Sequence, residues 1–525
     1  MSERLSLRSV PVGSAPGVDP RELTIGIVHL GLGAFHRAHQ AVFTERAATI
    51  SGETRWGISG VSQRSAAVRE QLAPQDGLYS VLTRGLDAPS IQVIGSIREV
   101  LTAPEDPAAV VARIADPAVA VVTLTVTEKG YRAVTGGGLD LTDPEIQADL
   151  AGRPPRTVVG QLAAGLVRRA ESGAGPLTIL SCDNLVANGP FLRRLMQDYT
   201  AALAAGPAAG GGSSAGTGSA AGTRSAAGTG SADGAGSAGR VGEDIGGRGS
   251  RASELLAEQL ELTRFPASMV DRIVPATTDA DRDDAARLLG VRDEALAVAE
   301  PFLQWVIEDD FAGARPAWEQ AGAVLTDDVA PWEQAKLRML NATHSMLAYL
   351  GGLRGYETIA EAVRDAELAE LAGELMTHDV VPTLSPPEGL DLTAYGTSVL
   401  ERFANPALKH RTAQVAMDGS VKLPVRLLGT VRDRLEAGAE PRFASLAVAG
   451  WMVYVATGKD ANGRELALDD PQAPRLRDAV AQADPGPAGL VDAMLAVETV
   501  FDGELAADKV FRSLLVEGVT SLQSR

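Results

Sequence analysis

Residues 24–40 read TIGIVHLGLGAFHRAHQ, an apolar run that ends at Leu30 and passes straight into Gly31 and Gly33. An apolar run of this length predicts a buried strand. Glycines directly after a strand let the backbone approach a pyrophosphate, which then lies on the N-terminus of the next helix. The third glycine of the usual dinucleotide fingerprint is replaced by His36. The stretch therefore predicts the first strand, turn and helix of a nucleotide-binding sheet, and the alternative is a tight turn without a ligand.

The residues of this turn and of the helix after it are the expected cofactor contacts. They are Gly31, Gly33, Ala34, Phe35, His36 and Arg37. His36 and Arg37 put positive charge where a phosphate would lie, although both could be ordinary surface residues. The second strand ends in GVSQR at residues 60–64, without the acidic residue that usually binds the adenosine ribose of NAD. Because Arg64 could meet a 2′-phosphate or be solvated on a turn, NADP stays open beside NAD.

Short apolar runs alternate with helical patterns over the first half of the chain. The predicted strands are Leu23–Leu30, Trp56–Val61, Ile91–Ile94, Ala118–Val126 and Leu177–Ser181. The predicted helices between them are His39–Ala48, Ala108–Ile114 and Val158–Ser172. Such alternation is typical of a doubly wound α/β domain. We therefore predict a Rossmann-type sheet over residues 23–285, after an N-terminal extension of residues 1–22.

The rest of the chain differs in composition from the predicted sheet. Residues 201–252 are nearly all Gly, Ala, Ser and Thr, so they cannot bury apolar surface and are predicted to be a disordered insertion without a function. After about Ala285 the strand signal fades. The predicted helices there are 331–352, 356–377, 394–404, 420–437, 443–457 and 488–499. The sequence therefore predicts a mainly α-helical substrate-binding domain over residues 286–525, whose helix 331–352 faces the first domain.

Charge and composition exclude several classes of function. The formal net charge of −19 argues against a nucleic-acid binder, because phosphate contacts need clustered Lys and Arg. The longest apolar stretch, residues 444–457, is too short to span a bilayer, and residues 1–20 lack the apolar segment of a signal peptide. The single cysteine, Cys182, excludes an internal disulfide and a cysteine-based zinc cage. We expect a cytoplasmic protein with a small-molecule substrate and no metal, nucleic-acid or membrane partner.

A candidate catalytic set lies in KLRMLNATHS at residues 336–345. On an α-helix, at roughly 100° per residue, Asn341 lies about 140° and His344 about 80° round from Lys336, so all three can line one side of a helix. A lysine with a lowered pKa can act as acid or base, an amide can hold an oxygen, and an imidazole can orient a hydroxyl. This set suits a hydride transfer at a carbinol carbon without a metal.

Eight segments together make the chain resemble a known family. They are GLGAFHRAHQ at 31–40, QDGLY at 75–79, TLTVTEKGY at 123–131, SCDNL at 181–185, MVDRI at 269–273, KLRMLNATHS at 336–345, MDGSVKLP at 417–424 and DDP at 469–471. The chain resembles the polyol-specific long-chain dehydrogenases, the mannitol dehydrogenase family, over roughly residues 22–515. The resemblance implies a Rossmann domain followed by a helical substrate domain, and a metal-independent hydride transfer with NAD.

The resemblance also implies the roles of the residues around the reacting oxygen. Lys336 is the general acid/base, and Asn341 holds the oxygen together with one asparagine of the segment 182–189. Asn184 is the first choice there and Asn188 the second. A ketone that gains a hydride develops alkoxide character, and removing one donor to such an oxygen typically costs roughly 3 kcal/mol. Burial can bring the pKa of a lysine from about 10.4 toward neutrality, which suits both reaction directions.

Four further contacts follow from the same resemblance. His344 and Asp271 would bind substrate hydroxyls. Thr125 and Glu128, at and just after the end of the fourth predicted strand, would lie near the nicotinamide. The oligomeric state stays open, since relatives of this kind can work as monomers.

The substrate prediction depends on residues 405–426, which are most similar to fructuronate reductases. Mannitol-oxidising relatives tend to have a basic residue where Gln414 stands. The segment is rich in cations, namely Lys409, Arg411, Lys422 and Arg426. A uronate carries a carboxylate that an Arg or Lys pair can bind, and Arg411 and Lys422 are the expected pair. This predicts reduction of D-fructuronate to D-mannonate.

Two other functions remain to be weighed. In a polyol dehydrogenase that oxidises D-mannitol or D-arabinitol to a ketose, Lys422 would bind a neutral hydroxyl chain instead of a carboxylate. A catalytically silent Rossmann binding module would need an altered catalytic helix, whereas Lys336, Asn341 and His344 are all present.

Overall fold

The apolar runs pair side by side into the predicted nucleotide-binding sheet. The computed structural model describes residues 3–134, 136–206 and 238–524. Its strands are β1 (Ile25–Leu30), β2 (Gly57–Ser62), β3 (Tyr79–Thr83), β4 (Ser90–Ile94), β5 (Ile97–Thr102), β6 (Val121–Leu124), β7 (Thr178–Ser181), β8 (Ser268–Asp271), β9 (Ala297–Ala299), β10 (Gln304–Glu308) and β11 (Val324–Thr326). The main sheet has the order β5-β2-β1-β6-β7 with every neighbouring pair parallel. Strand order reverses between β1 and β6, the point where doubly wound sheets bind ligands.

Capping residues fix where the helices that cover this sheet begin. Helix Pro107–Ile114 starts behind Asp106, whose carboxylate accepts a hydrogen bond from the backbone N–H of Ala109. Helix Val158–Ser172 has the predicted bounds and starts behind Thr157, whose hydroxyl accepts from the N–H of Gly160. Such caps satisfy N–H groups that the helix itself leaves unpaired. The other α-helices of this half are Ala34–Ala38, Gln40–Ser51, Ala67–Leu72, Pro144–Leu150, Asn188–Ala205, Ala238–Leu262 and Asp279–Leu289.

Two features of the strand prediction are wrong. The predicted strand at residues 91–94 does not join the main sheet, because β4 pairs antiparallel with β3 in a separate sheet of order β4-β3-β9. The edge of the main sheet is β5, where Arg98 and Glu99 interrupt the apolar pattern. Strands also continue after residue 285, since β9 pairs with β3, and β10 pairs with β8 and β11. These strands have three to five residues each, too short for a periodic signal.

The second half of the chain is mainly helical, as predicted. Its α-helices are Ala330–Ala335, Ala342–Leu353, Ile359–Ala362, Ala366–Glu374, Leu392–Phe403, Thr412–Ala416, Gly419–Leu423, Gly429–Glu436, Arg442–Thr457, Ala473–Gln482, Pro487–Leu495, Gly503–Ala507 and Lys509–Gln523. Helix Arg442–Thr457 packs between Ala342–Leu353 and Lys509–Gln523, so its nearly continuous apolar sequence is buried. Within the described ranges no helix is both long and apolar enough to cross a membrane.

The predicted N-terminal extension and the described ends of the predicted insertion are parts of the fold of the first domain. Leu5 is fully buried, and its N–H donates to the carbonyl of Arg292 at 2.8 Å. Residues 201–205 and 238–252, predicted to be disordered, belong to helices Asn188–Ala205 and Ala238–Leu262. Leu256 and Leu260, in the second half of the latter helix, belong to the buried core of the first domain. The rest of the predicted insertion, residues 207–237, lies outside the described residues.

Candidate active site

A first cavity, of about 590 Å³, opens at the C-terminal ends of β1 and β6. Its walls come from the turn Gly31–Gly33, residues 62–64 after β2, residues 125–127 after β6, and Arg156–Val158 at the start of a helix. The cavity therefore occupies the switch point of the sheet, and its volume lies in the range of small-molecule sites.

The two glycines of the turn shape this cavity in different ways. Gly31 has φ +101°, and a Cβ there would lie 2.1 Å from the carbonyl oxygen of Thr125, so only glycine fits between β1 and β6. A Cβ on Gly33 would meet nothing nearer than 3.7 Å, so it would occupy open space at the cavity floor. This cradle of bare backbone fits a pyrophosphate. Arg64 lines the same cavity, which keeps a 2′-phosphate open.

His36 and Arg37 do not line this cavity, in contrast to their predicted role at a phosphate. His36 is 1% exposed and stacks on the ring of His29, with centroids 3.4 Å apart. Burial lowers the pKa of His36 well below its usual value, so the ring is neutral. Arg37 is buried over the ring of Tyr79. Since the short helix Ala34–Ala38 packs on the sheet, these side chains face the interior, and the cations at the cavity are Arg64, Lys129, Arg132 and Arg156.

A second cavity, of about 650 Å³, adjoins the first and shares Gly33, Thr125 and Thr127 with it. Half of the predicted site residues line it. Those lining it are Gly33, Ala34, Phe35, Thr125, Glu128, Asn184, Asp271 and Lys336. The elements that meet here are the glycine turn, the ends of β6, β7 and β8, and the helical segment from the second domain. The two cavities therefore form one cleft between the domains.

Lys336, like Arg272, is a buried cation that lines the second cavity, and 7% of its surface is exposed. Its ammonium donates to the side-chain oxygen of Asn184 at 2.8 Å and to the carbonyl of Val270 at 2.7 Å. Burial lowers the pKa of Lys336, while the carboxylate of Asp271 opposes that shift. Burial also raises the pKa of Glu333, about one helical turn before Lys336, to about 7. A lowered pKa is the direction of shift that a lysine needs to act as a general acid/base.

The segment predicted to be catalytic is a π-helix over Lys336–Asn341 rather than an α-helix. In a π-helix the hydrogen bonds run between residues five apart, so Asn341 lies above Lys336 instead of about 140° round from it. Asn341 is 6% exposed and its side-chain amide bonds to no described residue. Asn341 does not line the second cavity, but it lies one turn behind the lysine that does.

His344 also lies behind the cavity lining. Its ring stacks between Phe403 and His410, with centroid distances of 4.7 and 5.2 Å. Burial lowers the pKa of His344 well below its usual value, and the cations nearby add to this effect. Its Nε2 bonds to no described residue. A neutral imidazole with a free nitrogen is suited to bind a hydroxyl.

The two candidate asparagines differ in what their amides contact. Asn184 is exposed and accepts from Lys336, which leaves its amide N–H groups free. Asn188 is buried; its amide donates to the carbonyls of Asp183 and Ser268 and accepts from the N–H of Ser268. Asn188 therefore joins the β7 end to β8, and Asn184 is the one beside the acid/base. The hydroxyl of Thr125 donates to the carbonyl of Gly31 at 2.9 Å, which ties the shared wall of the two cavities together.

Asp271 is held by two hydrogen bonds from Arg402, at 2.8 and 2.9 Å. Arg402 also contacts the carboxylate of Glu300, at 2.7 and 2.9 Å. Burial alone raises the pKa of Asp271, but Arg402 and Lys336 more than offset it, so the net pKa is lowered and the group is ionised. Arg402 and Glu300 were missed from the sequence, because an arginine in an amphipathic helix and a glutamate before a proline carry no signal of burial.

The cations of residues 405–426 that could bind a carboxylate differ in exposure, since Arg411 is exposed whereas Lys422 and Arg426 are half-buried. Arg411 is exposed and lines neither cavity. Lys422 donates to the carbonyls of Val415 and Met417, at 3.4 and 2.5 Å. Arg426 donates to the hydroxyl of Ser345 at 3.0 Å and to the carbonyl of Asn341 at 3.4 Å, and no acidic side chain among the described residues pairs with it. Arg426 is therefore the cation that reaches the catalytic helix.

Metal ligands were not expected from the sequence. In the part of the chain that the structure describes, no group of three or more His, Cys, Asp or Glu side chains is placed to hold a metal ion.

A parallel nucleotide-binding sheet, a cleft between two domains and a buried lysine from the helical domain define a two-domain dehydrogenase. A model of the mannitol dehydrogenase Rossmann domain matches residues 25–207 and 250–320, and a model of the mannitol dehydrogenase C-terminal domain matches residues 328–523. The chain belongs to the mannitol dehydrogenase family of oxidoreductases. The family predicted from the sequence motifs is thereby confirmed.

Individual relatives cover nearly the whole chain. D-mannonate oxidoreductase of Escherichia coli is 39% identical over 509 residues, 96% of this chain and 94% of its own length. Mannitol 2-dehydrogenase of Pyrenophora tritici-repentis is 33% identical over 525 residues, 99% of this chain and 83% of its own length. The ternary complex of Pseudomonas fluorescens mannitol 2-dehydrogenase with NAD and D-mannitol superposes with a TM-score of 0.78 at 32% identity, covering 99% of this chain and 97% of that one.

Proposed function

We propose that the protein reduces D-fructuronate to D-mannonate with NADH, reversibly, with Lys336 as general acid/base. The observation that carries the proposal is the buried Lys336, bonded to Asn184, in a cavity that adjoins the glycine-lined one. NADH, held over Gly31 and Gly33, supplies the hydride when bound. The similar D-mannonate oxidoreductase and the NAD complex of a relative support the substrate and the cofactor.

The protein's own residues handle the proton and the oxygen. In reduction the Lys336 ammonium gives a proton to the ketone oxygen as that oxygen gains charge, and in oxidation the neutral amine takes it back. The amide of Asn184 keeps the Lys336 ammonium aimed and has free N–H groups for the same oxygen. Asn341, one π-turn on from Lys336, is the second proposed donor. Donors fixed in advance stabilise the developing alkoxide without reorganising.

The substrate carboxylate is proposed to meet Arg426 and Lys422. Burial lowers the pKa of both groups, which means that their charges are poorly solvated. Both side chains are half-buried and line neither cavity. A cation withdrawn from water without a carboxylate partner is costly, so an anionic substrate that reached them would be stabilised. Arg426 replaces Arg411 in this role because Arg411 is exposed.

The alternative is a polyol dehydrogenase that oxidises D-mannitol or D-arabinitol to a ketose. It is favoured by the contacts of Lys422, whose ammonium already donates to two backbone carbonyls, and by the similarity to mannitol 2-dehydrogenases. The same acid/base and oxygen-binding residues would serve it. The use of NADP in place of NAD and the oligomeric state stay open. A cytoplasmic location stays a prediction from the sequence.

Initial rates of NADH oxidation with D-fructuronate, D-tagaturonate and D-fructose separate these functions. We expect a strong preference for D-fructuronate. In Arg426→Met, kcat/KM for D-fructuronate should fall roughly 100-fold, the loss of a charged hydrogen bond of about 2–3 kcal/mol, while the rate with D-fructose stays unchanged. The matched control is Arg411→Met, which should keep both rates.

Two results would contradict this assignment. A preference for D-fructose in the wild type would favour the polyol dehydrogenase. A loss of D-fructuronate reduction in Arg411→Met but not in Arg426→Met would indicate that Arg411, and not Arg426, binds the substrate carboxylate.

A further inference from the structure

Arg402 joins the two domains through two buried carboxylates. It belongs to helix Leu392–Phe403, whereas Asp271 ends β8 and Glu300 follows β9. Four hydrogen bonds of 2.7–2.9 Å link its guanidinium to both oxygens of each acid. The side chains of Arg402, Asp271 and Glu300 are only 6%, 5% and 1% exposed. One buried arginine is therefore shared by two carboxylates, and the triad keeps one net negative charge beside the cavity that Asp271 lines.

Asp271 is the carboxylate that acts most strongly on the pKa of Lys336, yet the two form no ion pair within hydrogen-bonding contact. Lys336 bonds to the carbonyl of Val270, the residue directly before Asp271, while the oxygens of Asp271 accept from Arg402. The charged or titratable groups that act on Lys336 or share the Asp271 cluster are Asp271, Arg402, Arg426, Glu333, His39, Glu300, Arg272 and Tyr395. Of the two carboxylates that act on the pKa of Lys336, Asp271 and Glu333, Asp271 is the one that an arginine holds.

We propose that Arg402 is a positioning residue that holds Asp271 away from Lys336, and that Glu300 tunes this by sharing the charge of Arg402. The proposal rests on the proposed function only in taking Lys336 as the acid/base. Neither Arg402 nor Glu300 needs to touch substrate or cofactor for this role.

The sign of each substitution follows from the charges. Burial lowers the pKa of Lys336, Arg402 lowers it further, and Asp271 opposes both. Removing Arg402 takes away a positive charge and frees Asp271 to pair with Lys336, so the pKa of Lys336 should rise. Removing the charge of Glu300 leaves more of the Arg402 charge facing Lys336, so the pKa of Lys336 should fall. A purely structural triad gives no reason for opposite shifts.

The test compares Arg402→Met with Glu300→Gln by the pH dependence of substrate oxidation. Oxidation needs neutral Lys336, so its rate rises with pH through the pKa of that group. We expect the midpoint to move to higher pH by about one unit in Arg402→Met and to lower pH by about half a unit in Glu300→Gln. Arg402→Lys keeps the charge but not the forked contact. Its midpoint should therefore lie close to that of the wild type, while its kcat should stay below the wild-type value.

A readout without turnover separates this inference from the proposed function. Acetic anhydride labels neutral amines, so the extent of Lys336 acetylation against pH, read by mass spectrometry, reports the same midpoint. The control is Arg354→Met, which breaks the ion pair of Arg354 with Asp365 at the end of helix Ala342–Leu353 and should leave the midpoint in place.

Each outcome decides one of the two ideas. Opposite midpoint shifts without any turnover of the sugar acids or polyols would support the positioning role and overturn the proposed function. Turnover of D-fructuronate with midpoints that do not move, or that move in the same direction, would overturn the positioning role. If Arg402→Met does not fold, Glu300→Gln and Arg402→Lys decide alone, because an unmoved midpoint in Glu300→Gln contradicts the proposal.

Discussion

Lys336→Met is expected to lower kcat roughly 10³-fold in both reaction directions, the scale of general acid/base catalysis. Methionine fills a similar volume but cannot carry the proton that the reacting oxygen gains or loses. The pH dependence should disappear together with the rate. In the wild type, reduction needs the Lys336 ammonium and falls as pH rises through its pKa, whereas oxidation needs the neutral amine and rises. Burial lowers that pKa, so the crossover should lie below the ordinary lysine value of about 10.4.

NADH binding and thermal unfolding distinguish a lost proton carrier from a lost fold. The side chain of Lys336 lies in the second cavity rather than in the glycine-lined one, so NADH affinity should persist in Lys336→Met. The midpoint of unfolding should stay the same or rise, since a buried charge is removed while Asp271 keeps Arg402. Lys509→Met, at an exposed helix start, is the matched control and should keep full activity. Activity within tenfold of wild type in Lys336→Met would contradict the acid/base assignment.

Gly31→Ala is expected to destabilise the protein by about 2–4 kcal/mol, combining backbone strain at positive φ with overpacking. The new Cβ would lie 2.1 Å from the carbonyl oxygen of Thr125, so β1 and β6 would have to move apart at their C-terminal ends. The shared wall of the two cavities would move with them. Urea unfolding should show the loss of stability, and NADH binding should be lost as well.

Gly33→Ala separates cofactor binding from stability. A methyl group there meets no atom closer than 3.7 Å, and φ of Gly33 is −105°, so the fold should be unaffected. The methyl group would instead occupy the space proposed for the pyrophosphate. We expect unchanged urea unfolding and an NADH Kd raised roughly tenfold or more, a cost of about 1.4 kcal/mol or above. Equal NADH affinity in Gly33→Ala and wild type would contradict a cofactor over this turn.

Local patterns predicted the strand and the glycine turn of the first cavity, but not the cations Lys129, Arg132 and Arg156 that line it. Strand β1 is a continuous apolar run, and the requirement for glycine at position 31 follows from the strand-to-helix turn itself. Helix Val158–Ser172 was predictable to the residue because Thr157 caps it and Gly173 ends it in a left-handed conformation. In each case the signal and the structure lie within the same few residues.

The remainder depends on contacts between distant parts of the chain. β9 has three residues, and its extended form is stabilised by pairing with β3, which no window of sequence around it reveals. A pattern with a period of 3.6 residues does not indicate the π-helix that aligns Asn341 with Lys336. From its local sequence Arg402 resembles an ordinary arginine on a helix surface, because its buried contacts come from the other domain. The site residues outside the glycine turn were identified through the family resemblance, and their roles stay predictions.

The pairing of Val81 with Ala297 also constrains how the polypeptide folds during synthesis. Strands β3 and β4 can form an antiparallel hairpin as soon as both have left the ribosome. The second neighbour of β3 is β9, which is translated only after a delay of about 10–40 s at typical elongation rates of 5–20 residues per second. Throughout that interval one edge of the hairpin can pair with the same edge of another nascent chain. Slower initiation, lower temperature or a chaperone that shields this edge should therefore increase the yield of native protein.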